Sequence, residues 1–280
     1  MPELPEVETI KRTLELKLGG RTIKEATVLF PGIIGSPSPE QFVAGLRNAR
    51  VQGLKRRGKF LLIELAAAKT LVIHFRMTGR LIYHPAKTPP LDHTHVVFDL
   101  DGEGQVHFMD TRKFGRLWLL PNTALPQHTS LCRLGREPLE EEFTREFLRL
   151  ELRHHRTRIK SLLLDQTFIA GLGNIYADEA LHLAGLHPEK MARDLSPTEI
   201  ARLHRAIQRV LQDGIDHNGT TLRDYLDGTG AAGRHQDYLK VHRRTGLPCP
   251  VCGTKISRKK VGGRSTHFCP CCQKDSEHGE

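Results

Sequence analysis

Residues 1–20 read MPELPEVETIKRTLELKLGG, and this stretch predicts that the chain begins with a helix. Apolar side chains recur there at the spacing of one helical face, at Val7, Ile10, Leu14 and Leu18. Proline is favoured in a first helical turn, glutamates there complement the helix dipole, and two glycines end the pattern. The stretch therefore reads as a capped helix with one buried face.

The same residues also suit covalent catalysis. Methionine removal is favoured before a small second residue, and it would leave Pro2 with a secondary amine at the chain terminus. Such an amine is a nucleophile that can attack a sugar or carbonyl carbon and form an iminium ion. Glu3 and Glu6 lie within one turn of it, where carboxylates can transfer protons. With Met1 in place Pro2 is an inert amide, so the local pattern alone favours the capping interpretation.

Beyond this helix the pattern passes from short strands to helices. Short segments rich in β-branched and aromatic residues predict a β-sandwich or barrel. These segments are Thr22–Phe30, Phe60–Leu65, Thr70–Phe75, Arg80–Tyr83, Thr94–Leu100, Gln105–Met109 and Leu117–Leu120. From about Glu140 the apolar period becomes helical and predicts helices around 143–152, 159–163, 176–183 and 200–211. The last of them is predicted to begin with a capping box at Ser196-Pro197, with Glu199 at the third helical position. We therefore expect an α+β multidomain protein.

The charge balance points to a polyanionic partner. With 42 Lys and Arg against 32 Asp and Glu, the 280-residue chain has a formal net charge of +10, and nucleic acid is the usual partner of such proteins. Basic residues cluster at 55–59, 153–160 and 255–264, although a merely solvated basic surface is the alternative. No apolar run is long enough for a membrane span and no secretory leader is evident, so we expect a cytoplasmic protein.

The cysteines near the C-terminus follow a metal-binding pattern. Cys249 and Cys252 are separated by sixteen residues from Cys269 and Cys272. Two close pairs at this spacing can place four thiolates around one tetrahedral zinc, with a hairpin between the pairs. Four sulfur ligands leave no position for substrate, so the sequence predicts one structural Zn²⁺ ion, with Cys271 as a spare thiol. An iron–sulfur site or unligated thiols are the alternatives.

Three motifs, in this order, resemble the bacterial formamidopyrimidine-DNA glycosylase family, also called Fpg or MutM. They are MPELPEVET at residues 1–9, GLGNIYADE at 171–179 and GRSTHFCP at 263–270. The resemblance runs from residue 1 to about residue 273. It implies a bifunctional DNA glycosylase and abasic-site lyase that excises oxidised purines (8-oxoguanine and formamidopyrimidines) from duplex DNA and cleaves the strand by β,δ-elimination.

The resemblance also implies a domain plan. An N-terminal helix plus β-sandwich would occupy residues 1–135, a helix-two-turn-helix domain residues 136–230, and a zinc-finger β-hairpin residues 231–280. The protein would act as a monomer on damaged double-stranded DNA, associated with the nucleoid through that DNA.

Carried onto this chain, the resemblance assigns catalytic roles. Pro2 is the nucleophile at the sugar C1′, and Glu3 shuttles protons as the sugar ring opens, with Glu6 as a second nearby carboxylate. Lys59, in Arg57-Gly58-Lys59-Phe60, matches a lysine implicated in proton transfer and phosphate contact. Arg264 matches a zinc-finger arginine that contacts phosphate and assists the second elimination. An iminium at C1′ acidifies the adjacent sugar proton, which makes both eliminations accessible without a metal.

Reaching C1′ requires that the damaged nucleotide leave the base stack, and the gap must be filled. The resemblance implies that Met77, Arg112 and Phe114 fill it, with Phe114 as a wedge and Arg112 facing the orphaned cytosine. Taken alone, Met77 follows an apolar strand and would be assigned to the core.

Further DNA contacts are implied in both halves of the chain. Gly171–Asn174 can present backbone amides to a phosphate at a helix N-terminus, with an ordinary helix–helix turn as the alternative. His93 resembles a phosphate contact, although a surface role or half of a weak metal pair is also open. The complete set predicted to bind DNA is Met77, His93, Arg112, Phe114, Arg156, Lys160, Asn174, Thr220, Thr221 and Arg223.

Two positions depart from the family pattern, and two other functions stay open. Asn218 replaces the first glycine of a Gly-Gly-Thr-Thr loop that is expected to cover the flipped base, and His242 stands where Tyr is usual. One alternative is an endonuclease VIII-like glycosylase for oxidised pyrimidines. Leu4 argues against it, because that branch usually begins Met-Pro-Glu-Gly. The other is a non-catalytic zinc-finger DNA-binding protein.

Overall fold

The computed structural model describes residues 1–274. They pack as two compact units, the first formed by Met1–Cys132 with Ile215–Gln236 and the second by Arg133–Gly214 with the chain from Asp237. The predicted domain boundaries near residues 135 and 230 remain predictions. Within 1–274, no helix combines the length and the apolar character that crossing a bilayer requires.

The described residues form six α-helices and eleven β-strands. The helices are α1 (Leu4–Leu18), α2 (Pro39–Leu46), α3 (Arg145–His154), α4 (Ile159–Leu163), α5 (Asn174–Ala184) and α6 (Pro197–Asp216). The first six strands are β1 (Thr22–Val28), β2 (Ile34–Ser36), β3 (Ala49–Arg57), β4 (Phe60–Leu65), β5 (Lys69–His74) and β6 (Gly79–His84). The others are β7 (Thr94–Leu100), β8 (Gln105–Asp110), β9 (Arg116–Pro121), β10 (Ser257–Val261) and β11 (Arg264–Phe268).

The first unit is a β-sandwich made from one continuous strand order, β2-β9-β5-β4-β3-β1-β7-β8-β6. Its two halves meet at β3 and β1, which share two residue pairs, Thr22–Arg50 and Ile23–Ala49. Residues from both halves, among them Leu61, Ile73, Phe98 and Phe108, face one buried core. Two layers around a shared core define the sandwich, so the predicted fold class is confirmed.

Helix α1 forms where the sequence predicts it and lies against this core. Val7, Ile10, Leu14 and Leu18 are at most 3% exposed, and all four belong to the core of the sandwich. Burying each such side chain contributes roughly 1.5–3 kcal/mol, so this face holds the helix firmly to the strands. The helix therefore carries the N-terminus to a fixed place in the first unit.

The sequence did not predict β2, α2 or β3. Helix α2 has a capping box in which the Ser38 side chain accepts from Gln41 N–H, with proline at the first helical position. Strand β3 was hidden because its register shifts between Val51 and Gly53. A β-bulge of this kind breaks the alternation of buried and exposed residues on which strand prediction depends.

The second unit contains α3, α4, α5, most of α6 and the β10–β11 hairpin. The predicted start of α6 is confirmed, since Ser196 N–H donates to Glu199 Oε2 at 2.8 Å. The hairpin turns at Gly262-Gly263, whose φ angles of +54° and +77° are the left-handed values that a two-residue turn of this type requires. The helical domain and the zinc-finger hairpin are thus both present as predicted.

Candidate active site and DNA interface

The N-terminal residues are buried although the chain terminus is not. Met1 is 47% exposed, whereas Pro2 is buried and Glu3 and Glu6 are 3% and 1% exposed. With Met1 present the Pro2 nitrogen is an amide, and it stands in for the amine that methionine removal would produce. The predicted nucleophile is therefore seated in a sheltered site rather than on a frayed end.

The carboxylate of Glu6 is held by two backbone donors. Glu3 N–H donates to Glu6 Oε2 at 2.8 Å, and Thr220 N–H donates to Glu6 Oε1 at 2.8 Å. Tyr225 lies alongside, with its hydroxyl donating to Asn218 O at 3.1 Å. Burial and the charge of Glu6 raise the pKa of Tyr225 well above its usual range, so it stays a neutral donor. These bonds tie the N-terminus to the loop at residues 218–221, and a proton-transfer role for Glu6 stays a prediction.

That loop has a backbone that few residues tolerate. Asn218 and Gly219 have φ angles of +59° and +80°. A Cβ on Gly219 would lie 2.9 Å from Tyr225 Cε1 and 3.0 Å from Glu6 Cγ, so glycine is required for both conformation and space. The next residue, Thr220, is buried, and Thr221 N–H donates to Gln236 Oε1 at 2.9 Å. The two predicted loop threonines are thus fixed beside the N-terminal site.

Lys59 reaches the same region from the strand layer. Leu54 N–H donates to Glu15 Oε1 at 3.4 Å and Arg56 pairs with Glu8 at 3.2 Å, so β3 runs antiparallel to α1. Gly58 and Lys59 form the turn that joins β3 to β4, so Lys59 lies at the end of β3 that points towards the start of α1. Lys59 is 6% exposed, so its ammonium lies in a sheltered place.

His74 is a candidate site residue that the sequence did not indicate. It is 8% exposed, its Nδ1 accepts from Arg76 N–H at 3.0 Å, and its ring meets Phe60 edge-on. Burial, followed by the charges of Arg76 and Lys59, lowers the pKa of His74 to about 3. It is therefore a neutral imidazole next to Lys59. Only the strand pairing brings these residues together, because β4 and β5 place Phe60 opposite His74.

The three predicted gap-filling residues lie on two neighbouring loops. Met77 and Phe114 are 41% and 50% exposed, so both apolar side chains are available at the surface. Arg112 is exposed too, with its guanidinium 4.6 Å from the centre of the Phe114 ring. The structure thus places Met77 outside the core, contrary to the interpretation of that residue taken alone.

Asp110 joins these two loops, and the sequence did not predict its role. It is 1% exposed, and it accepts from the Thr78 hydroxyl, from Arg112 N–H at 3.2 Å and from Gly115 N–H at 2.7 Å. Thr78 follows Met77 in the chain, so one carboxylate organises both loops. The signal that could have identified Asp110 is its place at the start of a polar turn, where Asp often bonds to nearby backbone.

Three of the eight described non-glycine residues with a left-handed backbone lie in and beside the same loops. Arg76, His93 and Lys113 are not glycines, yet they have φ angles of +51°, +66° and +59°. His93 is exposed, and its carbonyl accepts from Asp110 N–H at 3.0 Å. Left-handed conformations at such residues cost free energy and persist mainly at binding and catalytic sites. A functional role for this edge of the sandwich would account for the strain, and it stays a prediction.

In the second unit, the predicted DNA residues divide into exposed and buried groups. Arg156 is exposed, as is Arg223 of the first unit. Lys160 is 0% exposed, and its ammonium donates to Asp178 Oδ1 at 2.6 Å and to Asn174 O at 3.1 Å. A direct phosphate contact would require Lys160 to leave this pairing, so that contact stays a prediction. Asn174 is half-buried at the first position of α5.

The four predicted zinc ligands converge. Cys249 Sγ lies 3.9 Å from Cys272 Sγ, and Cys252 Sγ lies 3.4 Å from Cys269 Sγ. Tetrahedral zinc with Zn–S bonds of about 2.3 Å separates its sulfur ligands by about 3.8 Å. All four sulfurs lie within 4.8 Å of one another, so the residues fit the ion. Cys271 is exposed and outside this group, as predicted.

Comparison with known proteins agrees with these features. Three family models match consecutive parts of the chain: the formamidopyrimidine-DNA glycosylase N-terminal domain at residues 1–117, the H2TH domain of the same glycosylase at 134–225, and a zinc finger found in FPG and IleRS at 246–274. The chain belongs to the formamidopyrimidine-DNA glycosylase family. The sequence-based assignment to Fpg and to the DNA glycosylases as an enzyme class is thereby confirmed, as is the single zinc site.

Relatives and solved structures match over nearly the whole chain. Fpg proteins of Pelotomaculum thermopropionicum and Desulforamulus reducens are 56% and 53% identical, each over 98% of this chain and 99% of the relative. Crystal structures of Lactococcus lactis Fpg, one of a mutant with Fapy-dG-containing DNA and one with abasic-site DNA, cover 98% of this chain and 100% of theirs. They are 38% identical, with TM-scores of 0.92 and 0.91.

Proposed function

We propose that this protein excises oxidised purines from duplex DNA and then cleaves the abasic strand by β,δ-elimination, through a Schiff base on Pro2. One observation carries the proposal. A buried Pro2 and two buried carboxylates share a site with a glycine-dependent loop, and Lys59 lies at the end of β3 that points towards that site. This is the arrangement that covalent chemistry on a flipped nucleotide requires.

Pro2 attacks C1′, and Glu3, the residue next to the amine, moves the proton that opens the sugar ring. An α-amine has an ordinary pKa near 8, so a useful fraction is neutral at pH 7. A nearby cation such as Lys59 increases that fraction. The rate should therefore increase with pH, and the ascending part of the pH–rate profile should lie below about pH 8.

DNA binding uses different residues for different tasks. Exposed Met77, Arg112 and Phe114 suit insertion into the stack, since apolar wedges unstack bases and Arg offers hydrogen-bond donors to an unpaired cytosine. Exposed basic residues such as Arg156 and Arg223 suit phosphate contacts, so affinity should fall steeply with salt. Zinc held by Cys249, Cys252, Cys269 and Cys272 would supply folding free energy to the hairpin that presents Arg264. The protein acts as a cytoplasmic monomer.

Borohydride trapping on an 8-oxoguanine:cytosine duplex tests the proposal. The enzyme should form a covalent protein–DNA adduct, and Pro2→Gly should lose most of it. Intact-mass analysis gives the fraction of chains that retain Met1, and the trapped fraction must not exceed the fraction that lacks it. Trapping by chains that all retain Met1 would refute the mechanism. A panel that includes thymine glycol separates this activity from an oxidised-pyrimidine preference.

A further inference from the structure

The carboxylate of Asp178 joins three elements of the second unit. Its Oδ1 accepts from Lys160 of α4 at 2.6 Å. Its Oδ2 accepts from His242 Nδ1 at 2.8 Å, and from the Nδ1 and backbone N–H of His267 in β11 at 3.1 and 3.3 Å. Asp178 and Lys160 are at most 1% exposed, and the two histidines are 6% exposed. One buried carboxylate thus holds a helix, the segment before the zinc finger and the zinc-finger hairpin.

Two interpretations of this cluster can be compared. Asp178, His242 and His267 present ligand atoms within 4.8 Å of one another, as a metal site would. The ammonium of Lys160 already pairs with one carboxylate oxygen, and its positive charge would repel a metal cation bound there. This argues against a metal site. Burial alone would raise the pKa of Asp178, but the hydrogen bonds from His242 and His267 and the charge of Lys160 hold it well below its usual range. The cluster is therefore a permanently charged anchor.

The hairpin has two further anchors on the same helices. Asn174 Nδ2, at the start of α5, donates to Ser265 O at 2.9 Å. The glycine turn lies directly on α4, where a Cβ on Gly262 would overlap Ser161 Oγ. Arg264 stands between these contacts, immediately after the turn, and is exposed. The backbone on both sides of Arg264 is thus fixed, while its side chain is left to reach outward.

We propose that Asp178 is a positioning residue for Arg264: it fixes β11 to α5 so that the arginine is presented in one place for the second elimination. Asn174 assists through Ser265. The inference rests on the proposed function, because it assumes that Arg264 acts in δ-elimination. Positional error of about 1 Å in such a group can cost up to a hundredfold in rate.

A double-mutant cycle on a preformed abasic-site duplex tests this, with β- and δ-elimination products separated on a gel. Asp178→Asn keeps the side-chain shape but removes the charge, and should slow δ-elimination at least tenfold while borohydride trapping stays within twofold. The double variant with Arg264→Ala should be no slower than Arg264→Ala alone, since Asp178 acts through that arginine. Asp213→Asn, which breaks an exposed ion pair with Arg209, is the matched control and should match the wild type.

Two results would overturn the inference. The first is δ-elimination by Asp178→Asn at the wild-type rate. The second is a double variant whose rate falls by the product of the two single-variant losses, because Asp178 would then act independently of Arg264. Zinc content and thermal unfolding show whether Asp178→Asn folds. If it does not, the same cycle is run with His267→Ala, which removes the side-chain hydrogen bond between β11 and Asp178, and the same two outcomes decide. Failure of the proposed function looks different, because the wild type itself would then give no trapped adduct.

Discussion

Replacing Asp110 by alanine should separate DNA binding from folding. The change removes the acceptor of three hydrogen bonds and leaves the buried Gly115 N–H without a partner. An unsatisfied buried donor costs about 1–3 kcal/mol, and each of the two more exposed bonds contributes about 1 kcal/mol. We therefore expect the free energy of unfolding to fall by about 3–5 kcal/mol. Because domains are typically stable by about 5–15 kcal/mol, the protein should stay folded.

The same substitution should also weaken DNA binding. In the variant, the loops that carry Met77, Arg112 and Phe114 would have to become ordered during binding. If about 3 kcal/mol of the lost stability appeared in the binding free energy, affinity would fall roughly 150-fold. We expect affinity for a duplex with a reduced, uncleavable abasic site to fall at least tenfold, measured by fluorescence anisotropy at fixed salt.

Asp101→Ala is the matched control. Asp101 also accepts from two donors, Arg21 Nε at 2.9 Å and Thr22 N–H at 3.0 Å, but in a turn between β7 and β8 away from Met77. It should lower stability and leave DNA affinity within about twofold. Wild-type affinity in Asp110→Ala, or equal losses in the two variants, would refute the assignment of Asp110 as the organiser of these loops.

Three other outcomes are expected. Gly219→Ala should abolish base excision, because Gly219 has a φ of +80° and a Cβ there would crowd Glu6. The control Gly20→Ala has a similar φ of +77° but nothing within 4 Å, so it should lose some stability and keep its activity. Equal activity in the two variants would contradict this reasoning. The pKa of His74 is about 3 in the folded state and 6.5 in the unfolded chain. The contribution of His74 to the free energy of unfolding is therefore complete above about pH 6.5 and is lost as the pH falls from 6.5 towards 3. His74→Asn should recover about 2 kcal/mol at pH 5 in urea titrations, and an unchanged pH dependence would exclude His74 as the cause. Chelation should remove one zinc per chain together with DNA binding, while Cys271→Ser should keep both, as metal analysis and anisotropy would show.

The sequence predicted those features that depend on local pattern. The face of α1, the capping box of α6 and the cysteine spacing each follow from residues close together in the chain, and each was confirmed. Strand β3 was missed because a bulge disrupts its period.

Roles that depend on distant partners could not be predicted. Nothing near His74 in the sequence shows that strand pairing brings it to Lys59, and nothing near Asp178 shows that two histidines more than sixty residues away bond to it. The likeness to a family predicted an exposed Met77, and the structure shows it exposed, whereas its local pattern indicated core. For Lys160 and Glu6, the structure adds buried partners that the motifs do not reveal.

The first unit is discontinuous, and this has a consequence for synthesis on the ribosome. Gly228 N–H donates to Thr13 Oγ1 at 3.0 Å, and Thr220 closes over Glu6, so α1 is covered by segments made more than two hundred residues later. A nascent chain can pair its strands early, but its N-terminal site stays uncovered until Gln236 has emerged. Prematurely terminated products that stop before this point should be inert towards DNA and readily degraded.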